Sequence, residues 1–130
     1  MAVTTEIDVR YRDLDTLAHV NNAVIATYLE EGRVGYIDDV FESGLAEYGF
    51  VIAHLEIDFE RRVEIVDDVE VTVEVPELGT SSVPMEYEIT AGGETAATAQ
   101  TTLVFLDAEQ DGTAPIPEEI RERVEAHEGL

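Results

Sequence analysis

The sequence predicts an α+β protein in which five antiparallel strands wrap one long helix, with a short second helix at the end. Three observations predict it. Four segments alternate apolar and polar residues with a period of two, as half-buried strands of an antiparallel sheet do. One segment carries apolar residues at helical spacing and holds glycines within it. A Gly-Gly pair separates the fourth strand from a fifth, as in a tight hairpin.

The elements follow in chain order. Ile7, Val9 and Tyr11 alternate with Asp8, Arg10 and Arg12 in a first strand. From Asn22 to about Phe41, apolar residues recur at 24, 25, 28, 29, 36, 37, 40 and 41. Asn21 or Asn22 can cap that helix by accepting from an unpaired early N–H, and Gly44 can close it. Gly32 and Gly35 inside it each cost about 1 kcal/mol relative to Ala, which calls for a close neighbour. Val51, Ala53, Leu55, Ile57 and Phe59 form one face of a second strand, with His54, Glu56 and Asp58 on the other. Val69, Val71, Val73 and Val75 mark a third strand, and Val83, Met85, Tyr87 and Ile89 a fourth. Gly92-Gly93 turns into a last strand over about Glu94 to Asp107, whose small Ala97, Ala99 and Thr101 leave room for a packed neighbour. Pro115-Ile-Pro117-Glu-Glu opens the terminal helix with Pro and acids in its first turn. Residues 1–130 read as a single domain, since a chain of this length builds one core. One helix cannot cover a whole sheet face and long edge strands want partners, so a homo-oligomer is expected.

Composition narrows the function. The chain has 30 Asp and Glu against 7 basic residues, a formal charge of −23, and every basic residue is arginine. So negative a surface repels phosphate backbones and anionic lipid, which argues against nucleic-acid and membrane roles. It is tolerable where salt shortens the Debye length to ~3 Å at 1 M, so the composition predicts a halophilic protein. With no cysteine, disulfides, thiolate catalysis and cysteine-bound zinc drop out. No apolar run is long enough to span a membrane, and the N-terminus lacks the pattern of a secretory signal. A cytoplasmic location is expected.

Acids are so common here that acidic motifs carry little information alone. The His19-Val-Asn21-Asn22 cluster owes nothing to that bias, since it holds both asparagines of the chain and one of its three histidines. It leads into the start of the long helix, where free N–H groups and the helix dipole favour developing negative charge. A carboxylate beside it, Asp15, can attack a carbonyl or take a proton from water. Asp13 reads as a loop-holding residue. Asp13, Asp15 and His19 lack a further ligand or a zinc spacing, so no metal and no other cofactor is expected. Ser81 and Ser82 lack a His–Asp pattern and do not read as nucleophiles. They are instead candidate donors to a substrate phosphate, with Arg61 and Arg62.

Asp13-Leu-Asp15-(x)3-His19-Val-Asn21-Asn22, followed by Tyr28 and Glu30-Glu-Gly-Arg33, resembles the signature of hotdog-fold thioesterases. The resemblance is to the 4-hydroxybenzoyl-CoA thioesterase-like acyl-CoA hydrolases, with a further likeness to acyl-ACP thioesterases. Leu55–Arg61, Gly79–Ser82 and Pro115–Ile120 are also similar to family segments. The resemblance implies an acyl-CoA thioesterase, dimeric or tetrameric, with Asp15 as nucleophile or base. It implies an oxyanion donor at the N–H of Asn22 or Ala23, and a His19 that is either catalytic or positional. Two departures stand out: Leu17 where the acyl-ACP branch has Asn, and Ala18 where many relatives have Gly. An acyl-ACP thioesterase, another acyl-thioester enzyme and a non-catalytic acyl-CoA binder are the alternatives.

Overall fold

A computed structural model describes residues 2–42 and 49–130. Strand β1 (Val3–Ile7) leads through a short 3-10 turn at Tyr11–Asp13 to helix α1 (Asn22–Tyr36). The helix runs on through one π-helical turn, Ile37–Phe41. Strands β2 (Phe50–Phe59), β3 (Val69–Glu74), β4 (Ser82–Ala91) and β5 (Glu94–Phe105) follow, and helix α2 (Glu118–Glu128) ends the chain. The strands form one antiparallel sheet in the order β1-β3-β4-β5-β2.

Helix α1 lies on the sheet face built by the strand alternation. Val71, Val73, Val83, Met85 and Ile89 are fully covered there, and burying each such side chain stabilises the fold by about 1.5–3 kcal/mol. The helix glycines explain how it gets close enough. A Cβ on Gly32 would stand 2.5 Å from Cγ1 of Val71, and one on Gly35 would run into the hydroxyl of Thr5. Both glycines are therefore contact points with β3 and β1. At the far end of α1, Glu128 of α2 accepts from the Tyr36 hydroxyl at 2.7 Å and from the Val75 N–H at 2.8 Å. That carboxylate ties both helices to the sheet.

The hairpin and caps match the sequence reading. Gly92 and Gly93 have φ of 60° and 82° between the paired Ala91 and Glu94, the positive values a two-residue hairpin turn needs. Asn21 caps α1, its side chain accepting from the Ala23 N–H at 2.8 Å. Helix α2 has the expected acids, Glu118 and Glu119, in its first turn, but Pro117 stands at its N-cap and not within that turn.

Three further readings change. The first strand stops at Ile7, and Tyr11 is 83% exposed, because the Arg10 N–H turns back onto the Asp13 carboxylate at 3.0 Å. The helical run ends in a π turn, with Glu42 in the left-handed conformation at φ 57°; the expected Gly44 cap falls outside the described residues. In β2 the register shifts between Ile52 and His54. Ile52 faces the buried Leu103, and after the shift Leu55, Ile57 and Phe59 pair with Thr101, Ala99 and Ala97. Ile52 therefore joins their face while Val51 points the other way, an outcome of one inserted residue in a period-two pattern.

Candidate active site

The loop from Asp13 to Asn22 is closed by its own hydrogen bonds. Leu14 and Val20 form an isolated antiparallel bridge. Within it the Asp15 N–H donates to the His19 carbonyl at 2.8 Å, and the Ala18 N–H to the Asp15 carbonyl at 3.0 Å. Closing so tight a loop puts Ala18 at φ 62°, a conformation that favours glycine. The departure noted in the sequence thus falls on the one loop residue where a Cβ is unfavourable. The Asn21 N–H closes the loop's base on the Asp13 carbonyl at 2.9 Å, and the Val20 N–H reaches outside it to the Val63 carbonyl at 2.8 Å.

The two aspartates have different surroundings. Asp13 Oδ2 accepts from the Arg10 N–H at 3.0 Å and the Tyr28 hydroxyl at 2.7 Å. Desolvation pushes its carboxyl pKa up, but those two donors and the charges of Arg12 and Arg10 outweigh it and hold the group below its ordinary value. Burial, then the hydrogen bond to Asp13, pushes the Tyr28 hydroxyl up. Asp13 is a tether between loop and helix. Asp15 Oδ1 accepts from the N–H groups of Leu17 and His19 at 2.9 and 3.3 Å. Its Oδ2 has no partner among the described residues, so one oxygen anchors the side chain and the other is open.

Asp15, His19, Asn22, Arg61 and Arg62 line one cavity of about 300 Å³, together with Ile25, Phe59, Val63 and Ala97. At the start of α1, Ala23 spends its N–H on the Asn21 cap, and those of Val24 and Ile25 go to the Asn21 carbonyl at 2.9 and 3.2 Å. Among the described residues, Asn22 has the first helical N–H without an acceptor. It sits at the positive end of the helix dipole. Arg61 is engaged by the Ala91 carbonyl at 2.6 Å and by Glu94 at 3.2 Å. Arg62 has only a loose contact with Glu64 at 3.8 Å and a side chain 68% exposed, which makes it the freer cation at the rim.

Ser81 and Ser82 are not brought to this cavity within one protomer. Ser82 pairs with Val104, seven residues along β5 from the cavity residue Ala97, or ~23 Å of strand. The sequence reading missed the apolar part of the cavity, Ile25, Phe59, Val63 and Ala97. Phe59 had a signal, being the last apolar residue of an alternating strand; Val63 had none, since its placement comes from the hydrogen bond to Val20. No group of three or more His, Cys, Asp or Glu set to hold a metal ion occurs among the described residues.

Comparison with known proteins agrees with this architecture. The chain is 30% identical over 126 residues to the long-chain acyl-CoA thioesterase FadM of Escherichia coli K12, covering 93% of this chain and 96% of that protein. It is 24% identical over 120 residues to a 1,4-dihydroxy-2-naphthoyl-CoA hydrolase of Synechococcus elongatus, 88% of each. A thioesterase of Thermus thermophilus, crystallised with coenzyme A and Zn, superposes with a TM-score of 0.89 at 44% identity, over 98% of this chain and 94% of that one. The fold is the hotdog fold that the motif implied. With the model of the thioesterase-like superfamily matching residues 9–124, the chain belongs to that superfamily.

Proposed function

We propose that this protein hydrolyses acyl-CoA thioesters to the free acid and CoA, with Asp15 as the reacting carboxylate. The observation that carries the reading is the pairing, in one cavity, of an anchored carboxylate with an open oxygen and an unspent N–H at a helix start. Attack on a thioester carbonyl puts negative charge on its oxygen, and a preorganised N–H there lowers the barrier by several kcal/mol. In this reading the Asn22 N–H receives that oxyanion. Asp15 Oδ2 either attacks the carbonyl, giving an anhydride that water opens, or takes a proton from an attacking water. Both routes release CoA as the thiol. His19 lines the same cavity, and its backbone N–H steadies Asp15; its ring is an orienting or proton-carrying group. Arg62, with Arg61 behind it, faces the CoA phosphates.

The acyl-ACP alternative draws less support, because Leu17 contributes only its backbone N–H to Asp15 and its side chain is 71% exposed. The same reading takes the protein as a homodimer or homotetramer in the cytoplasm, adapted to high salt. The exposed Leu55 and Phe59 on the inner face of edge strand β2, 47% and 48% accessible, support association. The charge of −23 supports the salt adaptation.

Asp15→Asn tests the mechanism, with release of free thiol from acyl-CoA as readout. The variant should lose at least about 10²-fold in kcat, the order expected for removing a general base or nucleophile, with substrate binding kept. Near-full turnover in Asp15→Asn together with loss in His19→Ala would make the histidine the base and refute the carboxylate mechanism.

A further inference from the structure

The core of the sheet holds one polar cluster that the hydrolytic site does not use. Thr101 is the one buried polar residue among the described residues, 1% exposed. Its hydroxyl lies 2.6 Å from that of Tyr87, itself buried, and the Arg33 guanidinium donates to the Tyr87 hydroxyl at 3.2 Å. The Arg33 side chain is only 11% exposed, and the carboxylate near it, Glu30, stands 3.8 Å away with a side chain 68% exposed. A guanidinium carries five N–H donors, and among the described residues this one makes a single hydrogen bond. Taking a cation so far out of water is costly unless an anion or several acceptors meet it. The cluster supplies one hydroxyl acceptor and one distant, exposed carboxylate. Arginine donates to the Tyr87 hydroxyl, which shares one bond with Thr101 and has Met85 Sδ as a weak acceptor at 3.5 Å, so the unspent donors of the cluster are those of the guanidinium.

The position of the cluster says what kind of acceptor suits it. Arg33 lies on the helix that begins at the reacting end of the cavity, eleven residues beyond Asn22, or ~16 Å of helix. On β5, the cavity residue Ala97 and Thr101 are four residues apart, ~13 Å of strand. Between these two ends runs an apolar row of β2 on the same face. Phe59 lines the cavity and pairs with Ala97, Ile57 pairs with Ala99, and Leu55 pairs with Thr101. Leu55 and Phe59 are about half accessible. The row therefore starts at the thioester site and ends beside the donors, ~13 Å of strand away, close to the reach of an extended chain of about ten bonds at ~1.2 Å each.

Resting on the thioesterase reading above, we propose that Arg33, with Tyr87 and Thr101, reads the distal end of the acyl group and selects acyl chains that end in a carboxylate. The apolar row takes the methylenes, and the guanidinium takes a charge that the rest of this acidic protein would repel. Arg33 is then a specificity residue, remote from the reacting atoms.

The test compares decanoyl-CoA with the mono-CoA thioester of decanedioic acid, which differs by a terminal carboxylate. The wild type should favour the second by at least tenfold in kcat/KM. Arg33→Met should abolish or reverse that preference, and Tyr87→Phe, which keeps the ring and its packing, should reduce it. Product binding gives a readout independent of turnover: decanedioate should raise the melting temperature of the wild type more than decanoate does. Equal kcat/KM for the two thioesters in the wild type, or a preference unchanged in Arg33→Met, overturns the proposal while leaving the thioesterase reading standing. If neither thioester is cleaved, the thioesterase reading falls, and the melting shifts with the two free acids decide this one.

Discussion

Strands β3 and β2 carry the same kind of alternation, yet one is sealed and the other is open. Val71 and Val73 of β3 have no accessible surface, whereas Leu55 and Phe59 of β2 keep nearly half of theirs. Hydrophobicity does not separate them, since the β2 residues are the larger. The difference lies in where a single helix rests. Gly32 and Gly35 let α1 touch β3 and β1 directly, and a helix about 10 Å wide seated there does not reach the opposite edge of a five-stranded sheet. Alternation tells which face of a strand is apolar; it does not tell what will cover that face.

The largest effect should come from breaking the sealed half. Gly32→Val puts a branched side chain where Val71 and Val73 already stand. Overpacking of this kind costs up to about 3 kcal/mol, and urea denaturation should show the midpoint falling accordingly. Leu55→Ser on the open half should cost the isolated protomer about 0.5 kcal/mol or less, as an exposed substitution does. Its effect should instead appear as weaker association in analytical ultracentrifugation. Similar losses in both variants would remove the contrast between the halves.

A second, smaller effect belongs to the loop where the halves meet. Tyr28→Phe removes the hydroxyl that donates to Asp13 and should cost about 1 kcal/mol at neutral pH, the usual worth of such a bond. Because the folded state holds the Asp13 carboxyl below its ordinary pKa, ionised Asp13 stabilises the fold above about pH 4. That contribution is lost as pH falls through the folded-state value. The stability gap between wild type and Tyr28→Phe should therefore close in acid, and a gap that stays constant would exclude this tether.

Ala18→Gly should give the smallest change, and in the opposite direction. It relieves a residue at φ 62° and should raise stability by up to about 1 kcal/mol, after the added freedom of the unfolded chain is set against the relief. A thermal melt that shows destabilisation would mean that the strain of the loop is taken up elsewhere.

Much of this molecule was legible in the residues alone. Strands β3 to β5, the Gly92-Gly93 hairpin, the Asn21 cap and the start of α2 all rest on local chemistry, which a short window of sequence contains. The polar half of the site was legible because Asp15, His19 and Asn22 lie within eight residues of one another, so one loop gathers them. The tertiary structure decided the rest. It ended the first strand at Ile7 through a hydrogen bond to Asp13, and shifted the register of β2 by one residue at Ala53. It carried Phe59, Val63 and Ala97 to the cavity and moved Ser82 to the other end of the sheet. It also brought Arg33 of the helix to Tyr87 and Thr101 of two strands, residues up to 68 positions apart. Period and capping depend on neighbours in the chain, whereas cavities and buried charges depend on which faces meet, and that is set only when the helix settles on the sheet.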